Sequence, residues 1–446
     1  MPGCGPAHED SARPAKVAMI AGKALVPVEE DTMELKTYLR EQIDWELPFP
    51  PEEYAERRKK VRSAMSDAGV DLLLLCRLPD INWLTGYDMI WNHLRNSTTL
   101  VVRADSDDTL FFDAAAHTTI VSLVPEIRDA VIFDHDPMAG AGDFDIIADE
   151  LAGRGLTDGT IGLQFWGWGP APTVIEALAG KLKGKGAKVV DASLLVETQR
   201  IYKSPREMKV VRQAAAATDT ALEAARTSMK PGMTETAIEA VLVASLMEQG
   251  CNYPAIHTMV ASGVRSGTHH SPPTHRKVRD GDLVHIDVCG SLHRYHVNTC
   301  RTFSIGKADN RWLDVMERAS GSIDAIIENV KLGDALPRVD EIANEHIRKV
   351  GLEDDAWWIG GYPLGISFPP DWTGAHWIHW NEEVFGPTPE QLTIKPGLVF
   401  NYENQFDIWE GWPGGTGCNF IETFLVTDDG PELLSRLPRT ILSNGD

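Results

Sequence analysis

Two acidic residues stand at matching places in two copies of one pattern. Asp287 closes the segment Gly281-Asp282-Leu283-Val284-His285-Ile286-Asp287, and Glu403 closes Gly397-Leu398-Val399-Phe400-Asn401-Tyr402-Glu403. Each acid lies six residues after the glycine, at the end of an apolar strand. An Arg301-Thr302-Phe303 segment follows the first copy and Glu422-Thr423-Phe424 the second. The preceding landmarks echo as well. Lys230-Pro231-Gly232 and Gly250 recur as Lys331-Leu332-Gly333 and Gly351, both offset by 101 residues. A duplicated helix–strand unit with one acid per half predicts a pseudo-symmetric domain whose acids converge at its centre. Without a metal, clustered carboxylates, Glu403 and Glu422 among them, repel one another, and one should be protonated unless a cation arrives. That chemistry suits a nitrogen-rich substrate.

The elements that must position these acids are legible around them. Ser204 can cap a long Ala-rich helix with Pro205 and Glu207 in its first turn, reaching to about Ser228. Gly232 gives a turn, and Thr234 can cap a second helix that stops before Gly250. Upstream, an amphipathic helix is predicted over Pro51–Ala68 with Gly69 as its stop. Strands are predicted at Leu72–Leu75, Leu100–Val102, Leu110–Phe112 and Gly159–Phe165, and helices at Ile146–Ala152 and Val174–Lys183. Alternating short strands and helices predict a small α/β domain over residues 41–202, ahead of a domain over 203–446. Residues 1–40 mix Pro, Gly, Ala and acids without periodicity and read as a loose tail, within which Met33 is an alternative start.

Composition narrows the function. The chain has 446 residues and a net charge of -23, with 42 basic against 65 acidic side chains, which argues against nucleic acid or an anionic membrane as partner. The six cysteines form no C-x-x-C pair, so free thiols in a reducing, cytoplasmic compartment are expected. Cys300 beside Arg301 reads as a small buried thiol rather than a nucleophile. No apolar run approaches spanning length.

From about residue 50 to 438 the chain resembles the creatinase/prolidase/methionine-aminopeptidase superfamily. The resemblance rests on Ile81-Asn82-Trp83-Leu84-Thr85-Gly86-Tyr87, Lys203-Ser204, His270 before Arg276-Lys277-Val278, Asp287, Tyr295–Phe303, Gly361–Pro370, Glu403 and Glu422. It implies an α+β "pita-bread" C-terminal domain behind a smaller creatinase-type α/β domain. Metallopeptidases of the superfamily hold two metal ions through two Asp, one His and two Glu. Here the resemblance matches Asp287, Glu403 and Glu422, puts Asn298 at the second Asp and puts Pro369 at the His. Two ions need several carboxylates to offset their charge, so no dinuclear centre is expected. A single divalent ion on Asp287, Glu403 and Glu422 stays open. The segments Gly361–Trp372 and Tyr295-His296-Val297 resemble those of ectoine hydrolases, which, like creatinase, belong to branches that lost the metal.

The resemblance implies a hydrolase for a non-peptide C–N bond, amide or amidine, in a small compound. His270 takes the place of creatinase's catalytic histidine as general acid and base, with His269 and His275 as competitors. Glu403 and Glu422 would orient water or bind a cationic amine, unless Glu422 merely pairs with Arg301. Asp287, His296 and Asp371 are candidate substrate contacts. Arg95 lies about where creatinase holds a substrate carboxylate, and the resemblance implies a homodimer whose first domain reaches the partner's site. Some of the thirteen tryptophans could wall a pocket for a flat or cationic ligand. Two other functions compete: a metal-dependent Xaa-Pro aminopeptidase or dipeptidase with altered ligands, and an inactive pita-bread binding module.

Overall fold

A computed structural model describes residues 16–21, 24–27, 31–43, 47–90, 97–133, 142–167, 169–370, 372–378, 392–407 and 414–445. The chain divides into two compact units, Met1–Val196 and Glu197–Asp446. The expected positions of Arg95 and Asp371 lie outside the described residues.

The first unit alternates short strands and helices: β1 (Lys16–Ala21), β2 (Ala24–Pro27), α1 (Asp31–Gln42), α2 (Pro51–Asp67), β3 (Leu72–Leu75), α3 (Leu78–Thr85), β4 (Thr99–Arg103), β5 (Thr109–Ala114), α4 (Thr118–Leu123), β6 (Asp129–Phe133), α5 (Gly142–Gly153), β7 (Thr160–Leu163), α6 (Pro172–Gly184) and β8 (Lys188–Asp191). The strands form one sheet in the order β2-β1-β6-β5-β4-β3-β7-β8. Gly69 takes φ +66 just beyond α2, the left-handed stop that glycine tolerates without a Cβ penalty. Residues 16–21 and 24–27, within the stretch read off the sequence as a loose tail, form strands. There β1 pairs parallel with β6 and antiparallel with β2. A short aliphatic run can add to an open sheet edge because the edge supplies its hydrogen-bond partners, a tertiary effect that local composition does not reveal.

The second unit carries the candidate site. After α7 (Leu195–Arg200) come α8 (Pro205–Ser228) and α9 (Glu235–Glu248). Next are β9 (Met259–Ser262), β10 (Leu283–Leu292) and β11 (Tyr295–Ser304). The helices α10 (Asn310–Asn329) and α11 (Arg338–Lys349) follow, then β12 (Ala356–Gly360), β13 (Val399–Phe406) and β14 (Cys418–Thr427). Two short strands, β15 (Gly430–Leu433) and β16 (Leu442–Ser443), finish the chain. The α8 start is a reciprocal capping box. Glu207 N–H donates to Ser204 Oγ at 3.2 Å, and Ser204 N–H donates to Glu207 Oε2 at 2.7 Å. Thr234 Oγ1 caps α9 by accepting from Ala237 N–H at 3.1 Å.

The sheet order β12-β13-β14-β11-β10-β9 has the internal symmetry expected of a duplication. Two three-strand halves meet at the β11–β14 seam, and each half is preceded by two helices. This is the α+β pita-bread arrangement. Strand alternation then sorts the side chains. Val284, Ile286, Val288 and Phe303 pack with the buried face of α8 and α9. Phe400, Tyr402, Phe420 and Phe424 pack with α10 and α11. The opposite face carries the polar residues, and register decides which of them meet.

Candidate active site

One row of directly paired residues crosses the sheet on that polar face. Asp287 pairs with Cys300, Cys300 with Ile421, Ile421 with Glu403, and Glu403 with Gly360. Neighbouring residues of the same face flank it: His285, Cys289, Asn298, Asn401, Gln405 and Asn419, each an even number of residues from a member of the row on its strand. Asp287 and Glu403 are therefore brought to one surface from the two halves of the duplication.

Three amides bind this pair. Asn298 Nδ2 donates to Asp287 Oδ1 at 2.6 Å. Asn401 Nδ2 donates to Glu403 Oε1 at 2.8 Å and to Asn298 Oδ1 at 2.9 Å, so one chain of bonds runs from Glu403 to Asp287. Gln405 Nε2 donates to Glu403 Oε2 at 2.8 Å. The Asn401 orientation is fixed because its Oδ1 accepts from Tyr362 N–H at 2.9 Å. The Tyr362 hydroxyl lies near enough to Glu403 to lower its proton affinity and accepts from Trp372 Nε1 at 2.9 Å. Trp372 and Trp377 meet the Tyr362 ring edge-on at 6.1 and 5.1 Å. The result is a carboxylate pair walled by aromatic rings, an arrangement that favours a cationic ligand.

Burial sets the protonation. It pushes Asp287 up to about 6 against the opposing Asn298 bond. It pushes Glu403 up to about 8, with the Asp287 charge adding to burial and Tyr362 and Asn401 opposing. Between these values the pair holds one proton. A half-turn of the Gln405 amide would aim its Oε1, which has no partner where it stands, at a protonated Glu403.

The other expected residues fall differently. Glu422 does not converge with Asp287 and Glu403. It pairs with Tyr402, one residue out of the row, and so faces the helices. There Arg301 Nη2 donates to Glu422 Oε1 at 2.7 Å, and both side chains are almost fully enclosed. Period-two alternation is the physical reason: a one-residue difference in register moves a side chain to the opposite face, and Ile421 occupies the site face. Pro369 is exposed, and Tyr362 is the member of the Gly361–Pro370 segment that reaches the carboxylates. His270 sits exposed on a turn at φ +55, with its ring 6.1 Å from Trp357. The adjacent His269 turns inward, stacked on Trp357 at 4.6 Å and tilted against His285 at 5.7 Å. Burial depresses His269 far below the usual imidazole range. His296 lies on the site face, but both ring nitrogens are committed: Nε2 accepts from Ala255 N–H at 2.9 Å and Nδ1 donates to Arg294 O at 2.8 Å. Its ring meets Trp372 edge-on at 5.5 Å, so it buttresses the wall.

Sequence reasoning missed Tyr362, Asn401, Gln405 and His285. A usable signal for three of them was the two-residue spacing from Glu403 and Asp287 within strands already recognised. Cys300 is buried, with its thiol pushed far up by burial, in keeping with an inert packing role.

Residues 57–202 match the Creatinase/Prolidase N-terminal domain, and residues 209–428 match Metallopeptidase family M24. The chain belongs to the creatinase/prolidase superfamily. It is 26% identical over 417 residues to an ectoine hydrolase of Halomonas elongata, covering 90% of this chain and 99% of that protein. A Xaa-Pro dipeptidase of Pyrococcus furiosus is 24% identical over 270 residues, 60% of this chain and 72% of that one. The fold is shared with a prolidase from Thermococcus sibiricus at TM-score 0.72 and 19% identity, over 87% of this chain and 99% of that one.

The M24 name raises the question of metal. This sheet face offers two carboxylates, and three of their four oxygens already accept from amide N–H donors, which point hydrogen where a cation would need lone pairs. Their neighbours in the row are Cys300 and Ile421. The residues do not fit a dinuclear centre. A single ion on Asp287, Glu403 and Glu422 does not fit either, because Glu422 lies on the far side of the sheet, bonded to Arg301.

Among the described residues no helix is long and apolar enough to cross a membrane.

Proposed function

We propose that this M24-family hydrolase cleaves a non-peptide C–N bond in a small, nitrogen-rich, cationic compound, with Asp287 and Glu403 as its proton-handling pair and without a metal ion. The observation that carries the reading is the buried carboxylate pair, bridged by Asn298 and Asn401 and walled by Tyr362 and Trp372. The similarity to an ectoine hydrolase over nearly the whole length of both chains supports the substrate class.

Near neutral pH the site holds Asp287 ionised and Glu403 protonated. Two carboxyl groups with separated affinities can serve as base and acid in one step. Asp287 takes a proton from water as the oxygen attacks the carbon of the C–N bond. Glu403 gives its proton to the departing nitrogen, and the cationic part of the substrate rests against Asp287 and the aromatic wall. His270, at the rim, takes no proton in this scheme. The expected dimer and the Arg95 contact remain part of the proposal, as a means of holding a substrate carboxylate.

The test is release of ammonia or amine from a panel of small amides, ureido compounds and amidines, each with and without a cationic group. The rate against pH is expected to be bell-shaped, with limbs near 6 and 8, because activity needs the singly protonated pair. A flat profile across this range would remove the pair from the mechanism. The same shifts bear on stability. Glu403 is raised in the folded state, so its contribution is fully present below the unfolded carboxyl value and is lost as pH rises through about 8. Glu403→Gln has no charge to bury and is expected to melt higher than wild type at pH 9. An equal or lower melting temperature there would contradict the shift.

A further inference from the structure

Several buried polar atoms without a partner gather on one patch of the site face. They are His285 Nε2 and both ring nitrogens of His269. Buried polar groups are ordinarily satisfied, so a cluster of orphans beside a reactive pair points to a ligand that completes them. The patch belongs to the site: His285 lies two residues before Asp287 on β10, and the His269 ring lies over His285.

The hydrogen-bond pattern decides what His285 offers. Asn419 Oδ1 is committed, accepting from Phe406 N–H at 3.0 Å. The Asn419 amide nitrogen therefore faces His285 Nδ1 at 2.8 Å, and it also donates to Ser266 O at 3.3 Å. Ser266 O also lies 3.3 Å from His285 Nδ1, but placing the imidazole proton on Nδ1 to reach it would set donor against donor at the shorter Asn419 contact. Nδ1 is thus the acceptor, and the neutral ring carries its proton on Nε2. That Nε2–H is buried and has no acceptor.

We infer that His285 binds the carbonyl oxygen of the substrate through Nε2–H, and that the site therefore takes amides or ureido compounds in preference to amidines. A neutral donor can accept no hydrogen bond at that atom. A carbonyl oxygen completes it, whereas the N–H groups of an amidinium would meet it donor to donor. In the reaction the same bond would stabilise the oxyanion that forms as water adds to the carbonyl carbon. The inference rests on the hydrolase reading above for its substrate, but the tautomer and its selectivity can be read without turnover.

The experiment uses the full-length protein with 15N-labelled histidine. His285 is assigned by the signal lost in His285→Phe. In the free protein at pH 7, its Nε2 is expected to show the protonated shift and its Nδ1 the unprotonated one. Glycinamide, which joins a cationic amine to a neutral amide, is then titrated beside acetamidine. Glycinamide is expected to move the Nε2–H signal downfield, and acetamidine at equal concentration to leave it in place. His285→Phe should lose about tenfold in glycinamide affinity, and His285→Gln, which keeps an N–H donor, should retain most of it. An Nδ1–H tautomer overturns the inference, as does an equal response to both ligands, no response to glycinamide, or unchanged affinity in His285→Phe. The wild-type spectrum stands even if a variant fails to fold. Failure of the hydrolase reading would look different: no turnover of any panel compound, with the tautomer and the amide selectivity intact.

Discussion

Glu403→Gln is expected to lower kcat/KM by about 10²–10⁴-fold, the range of general acid–base catalysis, with the protein folded. The side chain is buried, and glutamine is nearly isosteric with the protonated acid. The bond from Asn401 can persist to its carbonyl oxygen. What is lost is the proton delivered to the leaving nitrogen. Asp287→Asn should fall by a similar factor for the complementary reason, loss of the base. The double variant should be little worse than either single one, since the two groups act in one step. His270→Ala serves as the contrast. Its ring is exposed and touches Trp357 rather than the carboxylates, so a loss of less than about tenfold is expected. Steady-state kinetics on the best compound of the panel decides the matter. A large loss in His270→Ala with a small one in Glu403→Gln would return the proton transfer to the histidine.

Glu422→Ala is expected to act on stability instead, at about 3–5 kcal/mol, because it strands a buried guanidinium. Arg301 is held on all sides: Nε donates to Pro438 O at 3.0 Å, Nη1 to Cys300 O at 2.8 Å and Ile421 O at 3.1 Å, and Nη2 to Ser435 Oγ at 3.1 Å and Leu437 O at 2.9 Å besides Glu422. The carboxylate is the only anion among these contacts. Removing it leaves the cation with neutral carbonyls in the interior of the sheet–helix layer. Glu422→Gln, which preserves a carbonyl acceptor, should cost less. Urea unfolding measures both, and the fraction that stays folded should turn over substrate near the wild-type rate. A folded, inactive Glu422→Ala would place this acid in the reaction.

The sequence and the structure agree most where the signal is local. Ser204 and Glu207 announce the α8 cap, and Gly232 and Gly333 mark the same turn twice, at φ +90 and +92. The duplication was legible because it repeats fixed spacings, and it placed Asp287 and Glu403 together. The sequence left Glu422 open between the site and a pair with Arg301, because spacing along a chain does not fix the register between strands that lie far apart in sequence. A shift of one residue between Ile421 and Glu422 separates a site wall from a structural ion pair. Tyr362 escaped for a related reason. It belongs to an irregular segment whose path depends on backbone bonds to β13, such as Leu364 N–H to Val399 O at 2.8 Å, and no periodicity reports that. The His269–His270 pair was ambiguous in sequence because two adjacent residues on a turn face opposite ways, and only the fold chooses between them.

The most direct test of the central claim is the metal content of protein purified without chelator, measured beside turnover in a strong chelator. The account expects less metal than protein and a rate unchanged by the chelator, since Asp287 and Glu403 are engaged by amide donors. One or more tightly bound ions per chain, with activity lost on stripping and restored on addition, would contradict it and make the protein a metalloenzyme with substitute ligands.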